Sequence, residues 1–86
     1  MMQKLIFYTK ALCSLCDDAK ALLLMFQREY PFELEERDIY TNDEWLEKYQ
    51  LLIPYVQIND STLDCEEINI KSLEQILKDN IEKTND

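Results

Sequence analysis

Cys13 and Cys16 are separated by Ser14 and Leu15, and two thiols at that spacing can pass between a dithiol and a disulfide. The pair directly follows an apolar run, Leu5-Ile6-Phe7-Tyr8, and opens a helical pattern that reaches Tyr30. A junction from strand to helix favours redox chemistry over metal storage. Unpaired amides and the positive end of the helix dipole stabilise a thiolate there. Cys13 is expected at the N-cap and Cys16 one turn inside, on the apolar side of the helix. Cys13 is then the attacking thiol, and Cys16 resolves the mixed disulfide. Lys10, three residues upstream, adds a positive charge, whereas Asp17 and Asp18 oppose ionisation of Cys13. The balance predicts a modest lowering of the Cys13 thiol from its reference of ~8.5, and a pair that is more reductant than strong oxidant.

The rest of the inventory narrows the chemistry further. With no histidine, Cys-His and Ser-His nucleophile pairs and His-ligated metal sites are excluded. A zinc site needs about four ligands, and the one further thiol is Cys65, so no metal is expected. Cys65 reads as a half-buried strand residue, with a regulatory thiol as the alternative. There is no glycine either, hence no phosphate-cradling Gly-rich loop. Any position needing positive φ is expected to use Asn or Asp, with Asn59-Asp60 the clearest candidate.

The 86 residues suit one domain with one modest core, spanning 1–86, with 82–86 as a frayed tail. Acidic residues outnumber basic ones 18 to 9, for a net charge of −9, which repels nucleic acid over long range. No apolar run approaches the ~18–20 residues that span a bilayer, so no membrane association is expected. No leader is evident before the first strand. Together with an odd number of cysteines, this gives the cytoplasm as the expected compartment.

Elements must position the two cysteines. Lys4–Thr9 reads as a buried strand. From Ser14 to Tyr30, Leu15, Ala19, Leu22, Leu23, Phe26 and Tyr30 fall at helical spacing, and Leu24 and Met25 widen the stripe, predicting cover on more than one side. Pro31 stops the helix. Phe32–Asp38 alternates as a half-exposed edge strand. Thr41 and Glu44 have capping-box spacing ahead of a short helix, Asp43–Tyr49. Tyr55–Asn59 and Ser61–Glu66 form a hairpin, and Asn69 caps a helix from Ile70 to Ile81 with Ile70, Leu73, Ile76, Leu77 and Ile81 on one face. The order β-α-β-α-β-β-α predicts an α/β fold. A mixed four-stranded sheet with helices on both faces is the economical arrangement.

Taken together, the strand, Tyr8-Thr9-Lys10-Ala11-Leu12, Cys-x-x-Cys, the helix and Tyr49-Gln50-Leu51-Leu52-Ile53-Pro54-Tyr55-Val56 resemble the thioredoxin superfamily. Within it, the resemblance is to short glutaredoxin-like proteins, and it spans Lys4 to about Leu77. It implies that Pro54 is cis, that its loop lies against Cys13, and that the Ile53 backbone pairs with an extended substrate or with glutathione. It places Lys10 where a basic residue meets a glutathione carboxylate, Cys13 at the nucleophile and Cys16 at the resolving thiol. Three departures are visible, the first being that Ser14-Leu15 supply no tyrosine between the two cysteines. Leu52-Ile53-Pro54 stands where the family has Thr-Val-Pro. Leu63-Asp64-Cys65-Glu66-Glu67 replaces a Gly-Gly pair followed by acidic residues, so bulkier side chains oppose close backbone approach and added anions repel glutathione.

The leading expectation is therefore a small monomeric thiol–disulfide oxidoreductase without a bound cofactor. Its partners would be a disulfide-containing protein or a glutathione mixed disulfide, with glutathione as a candidate reductant. The alternative is a binding or adaptor module on the same fold with non-catalytic or redox-sensing cysteines. A third reading, an iron–sulfur carrier, would need glutathione as a ligand.

Overall fold

Leu5-Ile6-Phe7-Tyr8 forms the middle of a strand, and its alternation organises the molecule. The computed structural model describes residues 2–81, so the tail expected at 82–86 lies outside the described residues. The elements are β1 (Gln3–Thr9), α1 (Ser14–Phe26), β2 (Phe32–Asp38), a 3₁₀ turn (Ile39–Thr41), α2 (Asp43–Tyr49), β3 (Tyr55–Ile58), β4 (Ser61–Leu63) and α3 (Ile70–Asn80). The sheet order is β2-β1-β3-β4. β1 pairs with β2 in parallel and with β3 antiparallel, and β3 and β4 form the antiparallel hairpin. This is the mixed four-stranded sheet that the order of elements predicts.

Period-two alternation sends Leu5 and Phe7 to one face of β1 and Ile6 and Tyr8 to the other. The first face packs against Cys16, Ala19, Leu23 and Phe26 of α1 and Leu73, Ile76 and Leu77 of α3. The second, smaller layer holds Tyr8, Ile39 of the 3₁₀ turn and Tyr49 of α2. Helices thus cover both faces. Each fully buried leucine or phenylalanine contributes roughly 1.5–3 kcal/mol, so the larger layer dominates stability and anchors the start of α1.

Several expectations need correction. α1 ends at Phe26, not Tyr30, because the residue before a proline avoids the α conformation and the last turn loosens before Pro31. Arg28 and Glu29 donate to the carbonyls of Met25 and Phe26 three residues back, and Tyr30 stays buried. Leu24 and Met25 do not widen a buried stripe; they are about half exposed, at 47% and 49%. The cap of α2 is Asn42, whose side chain accepts from the amides of Glu44 (2.9 Å) and Trp45 (3.2 Å). Thr41 instead donates its hydroxyl to the Asp38 carbonyl at 2.6 Å, held there by the 3₁₀ turn. Ile70, at the first helical position, is exposed rather than on the buried face of α3. β4 ends at Leu63 rather than Glu66, because Asp64 gathers the following amides into a turn. Asn69 caps α3 as expected, in a reciprocal pair with Ser72.

Candidate active site

The loop after β1 delivers Cys13 to the first position before α1. Cys13 has extended backbone angles, φ −125° and ψ 103°, and its Sγ accepts the amide of Cys16 at 3.1 Å. Its carbonyl accepts from Asp17 at 3.0 Å, so backbone and side chain both cap the helix. The two cysteines are joined as a disulfide with their Cα atoms 5.2 Å apart. Cys13 is partly exposed and Cys16 buried at 1% exposure, packed in the larger core. The outer sulfur is reachable and the inner one is screened.

The approach to this cap is tight. Leu12 takes φ 53°, in the left-handed region, with its side chain wholly exposed. Asn59, in the β3–β4 turn, also has φ 53°, as the glycine-free composition predicts. Leu12 was not foreseen, since the expectation reserved positive φ for Asn and Asp.

Two cavities open beside α1. One, of about 300 Å³, is lined by Phe7, Lys10 and Cys16 together with charged groups of α1 and β2. Among these, Lys20 and Glu36 form an ion pair at 2.7 Å. The other is a groove of about 220 Å³ between Leu15, Ala19 and Leu22 of α1, Pro54 and Ile68, with Asp18 and Cys65 also on its wall. Pro54 is buried and follows a cis peptide bond from Ile53. Lys10 and Pro54 therefore line different cavities, and Cys16 lines the one that holds Lys10. The Ile53 amide donates to the Tyr49 carbonyl at 3.1 Å, so it is not available for pairing, and the backbone group left at this position is the carbonyl. The Cys65 amide donates to the Leu52 carbonyl at 3.0 Å, tying the segment after β4 to the loop that carries Pro54.

Sequence reasoning missed three features. The first is the Lys20–Glu36 pair beside Cys16, since α1 and β2 meet only through the fold. The second is the self-capped turn at Asp64. Its Oδ1 accepts from the amides of Glu66 (2.9 Å) and Glu67 (3.1 Å), while its own amide donates to the Glu67 carboxylate at 3.0 Å. The spacing of Asp64 and Glu67 was the available signal. The third is Arg37, which donates to the Tyr8 hydroxyl at 2.9 Å and lies 5.0 Å from the Trp45 ring centre. Tyr8 also stacks on Tyr49 at 3.9 Å. Burial pushes the Tyr8 phenol up from its ordinary value. Hydrogen bonds from Arg37 and then Lys4 hold Glu35 below its ordinary value, and the bond to Glu35 raises Lys4. This aromatic and charged layer packs under α2, on the other side of the sheet from Cys16.

No cluster of three or more metal-ligating side chains occurs among the described residues, and none of their helices is long and apolar enough to cross a membrane.

Comparison with known proteins agrees with this geometry. A solved structure described as "Structure of a malarial protein" superposes with a TM-score of 0.68 at 15% identity, over 93% of this chain and 98% of the other. At that identity the match speaks to the fold alone, which is thioredoxin-like. The family model of the glutaredoxin-like domain matches residues 4–83, nearly the whole sequence. With its Cys-x-x-Cys disulfide opening the first helix of such a fold, the chain belongs to the glutaredoxin-like domain family.

Proposed function

We propose that the protein is a thiol–disulfide oxidoreductase in which Cys13 and Cys16 form the working couple. The observation that carries this reading is a partly exposed Cys13 Sγ at the N-terminus of α1, bonded to the Cys16 amide and joined to a buried partner sulfur. In the reduced state the Cys13 thiolate, stabilised by that amide and the helix terminus, attacks one sulfur of a substrate disulfide. The substrate's other sulfur leaves as a thiolate and takes a proton from solvent. Cys16 then loses its proton and attacks Cys13 Sγ, expelling the second substrate thiolate. Two electrons and two protons pass to the substrate, and the resulting disulfide is returned to the dithiol by an external thiol reductant. In this reading Ile53 offers its carbonyl to an extended substrate, Pro54 shapes the wall beside it, and Lys10 places a cation on the other side. The molecule acts as a monomer in a reducing compartment, the cytoplasm.

Substitution separates the roles. Cys13→Ser is expected to abolish reduction of an insulin-type protein disulfide. Cys16→Ser is expected to retain the first step and accumulate a mixed disulfide, visible by mass spectrometry. Full turnover by Cys13→Ser would overturn the assignment.

One observation favours a second reading, an adaptor module. Leu24 and Met25 are about half exposed on α1 and could meet a protein partner. A stable complex that survives Cys13→Ser, in a chain inactive with every reductant tried, would support it.

A further inference from the structure

The reading above leaves open which disulfides reach Cys13. Resting on that reading, we propose that the groove beside Pro54 receives an apolar side chain of a polypeptide substrate whose half-cystine is flanked by basic residues, and that glutathione fits it poorly.

The size of the groove is the first argument. Sites that enclose a whole small molecule run to about 300–1,000 Å³, whereas this one is about 220 Å³ and suits a single side chain. Its wall is the second. Leu15, Ala19, Leu22, Pro54 and Ile68 present an apolar surface, and Leu15 stands between the two cysteines. Since Leu15 is only two residues past Cys13 in the chain, a side chain seated against it would belong to a residue near the substrate's half-cystine.

Hydrogen bonding decides the charge of the ligand. A peptide carboxylate would need amides to receive it, and those of the turn after β4 are occupied. Cys65 donates to Leu52, Glu66 and Glu67 donate to the Asp64 carboxylate, and Ile68 donates to the Asp64 carbonyl at 3.1 Å. The chain's own carboxylate sits where an anion would bind. The surrounding charges have the same sign: Asp18 lies on the groove wall, and Glu66 and Glu67 are exposed beside Cys65. Lys10 lines the other cavity. Glutathione carries two carboxylates and one ammonium group, so it would enter against this field. A polypeptide with lysine or arginine beside its half-cystine would be drawn in, the more so with a net charge of −9 on the molecule.

Binding can be tested apart from chemistry. Calorimetry on the oxidised full chain would use three probes without disulfides: a short peptide with Leu beside S-methylcysteine and Lys flanks, its counterpart with Glu for Lys, and S-methylglutathione. The Lys peptide should bind at least about tenfold more tightly than the Glu peptide, and the gap should narrow at ~0.5 M salt. Replacing Leu by Ser in the Lys peptide should weaken it, and S-methylglutathione should not bind measurably. Asp18→Lys, on the exposed side of α1, should weaken the Lys peptide and strengthen the Glu peptide. Equal affinity for the two peptides, no penalty for Ser, no response to Asp18→Lys, or S-methylglutathione binding as tightly as the Lys peptide would each overturn the proposal. Because none of these probes can be reduced, a failure of exchange in the cysteine variants and a failure of docking are separate results.

Discussion

Leu12 is a β-carbon-bearing residue held in the left-handed region immediately before Cys13. Crowding between Cβ and the following carbonyl costs roughly 1–2 kcal/mol there, and a wholly exposed side chain recovers none of it by burial. The turn is nevertheless required, because Cys13 must leave β1 and arrive extended at the mouth of α1. Asn tolerates this conformation, as Asn59 does in the hairpin turn. Leu12→Asn is therefore expected to raise stability by about 1 kcal/mol, which for a domain of this size is roughly 4–8 °C in Tm. A melting curve that does not move, or moves down, would mean that the turn is unstrained. The same pair of residues shows what composition can and cannot reveal. A chain without glycine points to Asn59 as a tolerant residue, but it says nothing of where the fold demands tolerance.

Among the elements, α2 tests how a helix start is chosen. Thr41 and Glu44 have capping-box spacing, yet Asn42 is the cap, because the 3₁₀ turn that precedes it engages the Thr41 hydroxyl with Asp38. Asn42→Ala should cost about 1 kcal/mol in chemical denaturation, and Thr41→Ala clearly less. The reverse order would restore Thr41 as the cap. Elements that rest on local pattern were legible: β1, the start of α1, the β3–β4 turn and the Asn69 cap. Those that depend on a neighbour were not. Ile70 has the periodicity of a core residue but is exposed at the first helical position, and Leu24 and Met25 stay about half exposed. The site divides in the same way. The Cys13–Cys16 pair could be read from type and spacing, whereas the cis bond before Pro54 came only from the family resemblance. The turn at Asp64 left a signal in its spacing that went unread, while the Lys20–Glu36 pair could not be read, since it needs a contact that spacing alone does not reveal.

For the whole molecule, acidity is the main electrostatic fact, and β2 shows how it is managed. Glu33 and Glu35 share Lys4, at 3.8 Å and 3.1 Å, and Glu35 also pairs with Arg37, which reaches into the aromatic layer under α2. The hydrogen bond from Arg37, and then that from Lys4, favours the charged Glu35, so its folded value lies below the ordinary 4.5. A depressed carboxyl stabilises the fold above its unfolded value and loses that contribution as pH falls through the folded one. Comparing urea denaturation of the native sequence and Glu35→Gln from about pH 3 to 7 should show the largest gap above pH 4.5, closing on acidification. A gap independent of pH would mean that Glu35 acts through packing rather than charge.

The sulfur of Cys13 has a second identity as a structural cap. One atom accepts the Cys16 amide and, in the proposed function, would be the atom on which bonds are exchanged. In the disulfide the same two residues are also joined covalently, and a thiolate is a stronger acceptor than a disulfide sulfur, so in the proposed exchange the first turn of α1 would be held by a covalent bond in one state and by a charge-assisted hydrogen bond in the other. Redox state would then be written into the way the opening turn of the helix is held. A partner that grips the opening turn of the helix could tell charged from discharged molecules without touching either sulfur.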